Sequence, residues 1–150
     1  MQQKPTDELN DLLENMRPEQ LSGYIKDEKD YLVNDDRAFY FYFTDVLKDK
    51  RIKLKDVYSF AGVSESYGGQ VVRTEKPTRN RDLIIRLCLA GHFSLLEMNR
   101  ALKLYGMTEL YAKDPRDACI IVAVNNRVYD LGRMDEILEE QGFEVLTKSE

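Results

Sequence analysis

Apolar positions recur along most of the chain at the three- and four-residue spacing of amphipathic helices, not the strict alternation of strands. Residues 7–16 place Leu9, Leu12, Leu13 and Met16 on one face. Pro18 then stands at a plausible first helical position, and Leu21, Ile25 and Leu32 continue a weaker stripe. Asn34 and Asp35 offer a cap for the next element, RAFYFYFTDVLKDK. Phe39, Phe43, Val46 and Leu47 share one of its faces, and Lys48, Lys50 and Arg51 gather at its end, where cations suit the helix dipole. The aromatic run FYFYF alone has strand propensity, but the period that extends to Leu47 predicts a helix.

Residues 81–146 hold an internal repeat. At an offset of 35, Arg81 matches Arg116, Asp82 matches Asp117 and Ile85 matches Ile120. One inserted residue later, Leu95 matches Leu131, Met98 matches Met134, Leu102 matches Leu138, Gly106 matches Gly142 and Leu110 matches Leu146. Each unit reads as a helical hairpin that buries one stripe against its neighbour. Ser94 with Glu97 has capping-box spacing, and Asp114 before Pro115 supplies an N-cap followed by proline at the first helical position. Gly106 and Gly142 stand where helices end in left-handed caps. CIIVAV also reads as a buried strand opening a β-α-β unit, an alternative that the repeat argues against.

Between the aromatic helix and the repeat lies LKDVYSFAGVSESYGGQVVRTEKP. Lys55 to Ala61 is expected to form a short helix with Val57, Phe60 and Ala61 turned inward. Gly62 allows the positive φ of a tight turn, Val63 plugs the angle between helices, and Ser64 caps a second helix. Together they describe a helix-turn-helix. With the aromatic helix before it and LIIRLCLAG and SLLEMNRALKLYG after it, the segment resembles the Xre family of phage-repressor-like helix-turn-helix proteins over residues 38–106. The resemblance implies a compact five-helix bundle and sequence-specific binding of double-stranded DNA by a dimer. The chain departs from the family pattern at Tyr58, usually a small alanine; at Thr74, commonly glycine; and at Gly68 and Gly69 inside the second helix. Tyr58 is expected to tilt its ring outward or displace its helix, and Gly68 to face the body of the bundle.

The resulting expectation is an all-α protein with three parts: an acidic helical arm over 1–37, a helix-turn-helix domain over 38–110, and a C-terminal helical hairpin over 111–150 packed on it. In the DNA-binding reading, Ser66 and Gln70 share a face toward base edges. Gln70 suits adenine and Glu65 suits cytosine. Ser64 caps the recognition helix, while Tyr67, Lys53, Lys55, Arg73, Lys76 and Arg79 would contact phosphates.

Charge refines this picture. The 150 residues carry a net charge of −5, yet residues 38–106 hold twelve basic and seven acidic side chains, while 1–37 and 107–150 each hold five and ten. A basic block between acidic flanks is an electrostatic footprint for a polyanion. Acidic flanks and the Leu131, Met134, Ile137, Leu138 stripe also suit an alternative, a non-catalytic protein-interaction adaptor or regulatory subunit in a signalling or defence system. No apolar run approaches the length of a membrane span and no signal-peptide pattern opens the chain, so a cytoplasmic protein is expected. Neither a P-loop, G-x-S-x-G nor H-E-x-x-H is present. A single histidine, His92, reads as a capping or surface residue, and Cys88 and Cys119 read as small core hydrophobes. No enzyme activity, cofactor or metal is expected.

Overall fold

The computed structural model describes residues 37–147, and within them the protein is all-α: seven helices and no strand. The stripes predicted over 7–16 and 18–32 lie outside the described residues. Helix α1 (Ala38–Lys50) is followed by two short helices, α2 (Leu54–Ala61) and α3 (Glu65–Val72), then by the hairpin of α4 (Arg81–Ala90) and α5 (Leu95–Leu104), and by that of α6 (Pro115–Asn125) and α7 (Leu131–Glu140).

Helix α4 forms the middle of the molecule, with every residue from Leu83 to Ala90 buried. The aromatic face of α1 lies on the first hairpin as its period predicts. Phe39 and Phe43 stack on each other at 5.3 Å, Phe39 meets Tyr105 edge-on at 4.7 Å, and Phe43 meets Phe93 at 5.1 Å. Such ring pairs add to the burial of large apolar surface.

The repeat is structural as well as sequential. Gly106 and Gly142 take left-handed φ values of 78° and 81°. His92 and Arg127, 35 residues apart, do the same at 56° and 60° between the helices of each unit. The Asn99 side chain accepts the Leu110 N–H at 2.9 Å, and 36 residues on Asp135 accepts the Leu146 N–H at 2.8 Å. Ser94 and Glu97 complete a capping box, and Asp114 and Asp130 cap α6 and α7 through the N–H groups of Asp117 and Arg133.

The repeated Arg-Asp pairs lock the units together reciprocally. Arg81 donates to both carboxylate oxygens of Asp117 at 2.9 Å, and Arg116 donates to both of Asp82 at 3.0 and 2.9 Å. Residue i of one unit thus binds residue i+1 of the other and the reverse, the self-complementarity of a two-fold relation. Arg81 further donates to the carbonyls of Thr108 and Glu109, and Arg116 to that of Glu144. Burial alone would raise the Asp117 carboxyl, but hydrogen bonds from Arg81 and the Tyr111 N–H hold it below the usual range. The buried guanidinium of Arg86 in α4 donates to the carbonyl of Leu146, a third tie to the end of the second unit.

CIIVAV lies in α6, the helix that the repeat predicts, so the strand alternative falls. Two expectations are corrected. Phe60 points to solvent at 70% exposure, and Tyr58, at 6%, takes the inward place on α2 instead. Cys88 is core, but Cys119 is only half-buried and lines a surface groove.

Candidate nucleic-acid interface

Helices α2 and α3 meet through the tight turn 62–64. Gly62 has φ 78°, open to a residue without Cβ, and the Val63 N–H returns to the Tyr58 carbonyl at 3.0 Å. Val63 is half-buried against the core, as expected of the plug between the helices. The Ser64 hydroxyl accepts the Tyr67 N–H at 3.1 Å and so starts α3.

Helix α3 has two distinct faces. Gly68, Gly69, Val71 and Val72 are buried, while Glu65 and Ser66 are exposed and Tyr67 and Gln70 are half-exposed. Lys53, Lys55, Ser64, Arg73, Lys76 and Arg79, on the segments before and after α3, are all exposed. The structure therefore leaves every one of the ten sequence-predicted residues reachable from solvent.

Two of the departures from the expected pattern, Tyr58 and Gly68, explain each other. A Cβ on Gly68 would stand 2.6 Å from the Tyr58 ring, so the ring fills the room that a side chain on α3 would take. Tyr58 therefore needs no outward tilt, and burial pushes its hydroxyl above the usual range. Gly69 lies beneath the Arg73 guanidinium, which a Cβ would approach to 2.8 Å. Thr74 adopts the left-handed conformation at φ 57°, the geometry for which glycine is the easy residue.

Two contacts at these residues escape sequence reasoning. Arg73 is held by Glu75, Nε to Oε1 at 2.8 Å, in a pair that faces solvent. Their hydrogen bond raises the guanidinium further and lowers the carboxyl. The only signal in the sequence is an acid two residues after an arginine, a common spacing with no specificity. Tyr105, the C-cap of α5, donates its hydroxyl to the Val71 carbonyl at 2.8 Å and accepts the Thr78 N–H at 3.4 Å. One side chain thereby holds both the end of α3 and the loop that carries Lys76 and Arg79.

Elsewhere, the exposed His92 stacks on Tyr129 at 4.6 Å beside Phe60 and Leu131. An apolar groove of about 480 Å³ runs along the outer side of α6 and α7. Among the described residues no group of three or more His, Cys, Asp or Glu is placed to hold a metal ion. No described helix is long and apolar enough to cross a membrane.

No family model, curated protein or solved structure matches the chain.

Proposed function

We propose that the protein is a sequence-specific DNA-binding transcriptional regulator of the helix-turn-helix repressor type, acting as a dimer on double-stranded DNA. The observation that supports this most is the two-faced helix α3. Its back is anchored in the core by Val71 and Val72, its front leaves Ser66 and Gln70 open to solvent, and the flanking segments carry the exposed cations Lys53, Lys55, Lys76 and Arg79. In the major groove the start of α3 would meet base edges, with Gln70 bidentate to adenine and Glu65 accepting from cytosine. Lys53, Lys55, Lys76 and Arg79 would bind phosphates and fix the register, and Tyr67 would add a contact at the edge of the groove. Arg73 would join them by exchanging Glu75 for a phosphate. A second half-site supplies the surface that one short helix lacks.

The test is binding to mixed genomic fragments at about 50 and 200 mM salt, with Gln70→Ala and Lys55→Ala beside the wild type. Selection of particular fragments, relaxed by Gln70→Ala and uniformly weakened by Lys55→Ala, supports the reading. Absence of binding at the lower salt overturns it. The adaptor reading has one observation in its favour, the groove on α6 and α7 with Val122 61% exposed at its lip. Partner binding that survives Gln70→Ala and Lys55→Ala but fails in Val122→Asp would favour it.

A further inference from the structure

The groove on the second hairpin has a counterpart on the first, and there it is filled. Helix α1 lies on the first hairpin through four contacts. Phe39 packs on Tyr105, Phe43 on Phe93, Lys50 pairs with Glu97 at 2.9 Å, and Leu47 lies so close to Gly91 that a Cβ there would meet it at 2.8 Å. Carried through the repeat, those four positions on the hairpin become Gln141, Val128, Arg133 and Asn126, and all four line the groove. Val122, 61% exposed, stands where the first unit has Leu87 at 0%. The second unit therefore presents the seat of an α1-like helix.

The geometry points to the occupant as residues 18–32 of the same chain, docking as a counterpart of α1. Shifted by 22 residues, Phe43, Val46, Leu47 and Lys50 align with Leu21, Tyr24, Ile25 and Glu28. The apolar stripe is kept and the charge is inverted, which the seat requires: Glu97, the partner of Lys50, is replaced by Arg133. At the other end Phe39 aligns with Arg17, and its partner Tyr105 is replaced by Gln141, a polar pair in place of an aromatic one. Arg133 is now held by Glu136 at 3.1 Å on an exposed helix face, a contact readily exchanged for Glu28. The nine steps from Glu28 to Arg37 span up to about 30 Å when extended. Gly23 within the segment costs it helix propensity relative to alanine.

Cys119, half-buried in the groove, reports its occupancy in the full-length protein. Cys88 stays silent to a thiol reagent, since it is fully buried and burial pushes its thiol far up. Docking predicts that an Ellman-type reagent attacks Cys119 about tenfold faster in Ile25→Asp and Glu28→Arg than in wild type. Arg133→Glu alone behaves like Glu28→Arg, and combining the two restores protection by re-forming the pair with opposite sign. Circular dichroism verifies that each variant keeps the bundle. Equal Cys119 rates in wild type, Ile25→Asp and Glu28→Arg overturn the proposal. Protection that fades on dilution overturns it too, by assigning the seat to a second copy. Because Gln70 and Lys55 take no part, this outcome is independent of DNA binding.

Discussion

A tyrosine and a glycine ten residues apart decide how α2 and α3 meet. The Tyr58 ring occupies the space above Gly68, so each residue makes sense only with the other. Gly68→Ala in the wild type forces the ring aside and is expected to cost about 1–3 kcal/mol, the range for overpacking. In a Tyr58→Ala background the same change should instead stabilise by up to about 1 kcal/mol, since alanine outranks glycine within a helix. Urea unfolding of the four chains measures this reversal, and simple additivity would contradict the packing described. Thr74 offers a simpler case: a β-branched residue held at φ 57° carries strain that glycine lacks. Thr74→Gly is expected to raise stability by about 0.5–1 kcal/mol after the added freedom of the unfolded chain is subtracted. An unchanged or lower urea midpoint would show that the Thr74 side chain returns more than its backbone costs.

Most helices were legible because their ends are marked chemically. Ser94 with Glu97, Asp114 with Pro115, and Gly106 and Gly142 all perform the capping their spacing announces. Helix α2 was misread at its inner face because eight residues span little more than two turns. Over that length Phe60 and Tyr58 compete for the inward place, and only the cavity over Gly68 decides. The repeat was visible, but its consequence was not, since matching Arg81 to Arg116 and Asp82 to Asp117 does not say that each arginine binds the other unit's aspartate. That reciprocity has a pH signature. Asp117 titrates below its ordinary value in the folded protein, so its contribution is complete above the unfolded aspartate value near 4 and is lost as pH falls through the folded value. Asp117→Asn should cost about 2–4 kcal/mol at neutral pH, because it leaves the half-buried Arg81 guanidinium with a weaker partner at a buried position. The difference from wild type should shrink as pH is lowered from about 4 toward 2. A gap that stays constant across that window would remove Asp117 from the acid response.

For the molecule as a whole, the reciprocal pairs and Arg86 join two hairpins that a looser linkage would let open separately. Met134 in α7 and Cys88 in α4 lie in different units, both fully buried in one continuous core. If that core opens as one body, a cavity at Met134 must expose Cys88 as readily as a cavity beside it would. Met134→Ala is expected to cost about 2–4 kcal/mol. In a Cys119→Ser background, the rate at which a thiol reagent reaches Cys88 should then rise at least about thirtyfold, the change in open population that 2 kcal/mol produces. Labelling of Cys88 at the unchanged rate, with helix content partly lost, would mean that the second hairpin unfolds alone while α4 stays closed. The distinction bears on the DNA-binding reading, because Tyr105, which positions the end of α3 and the Lys76 and Arg79 loop, belongs to the first hairpin. In a single cooperative body, anything that binds the groove on α6 and α7 in the folded state alone stabilises α3 and Cys88 alike against opening. With independent hairpins, the two faces of the molecule act separately.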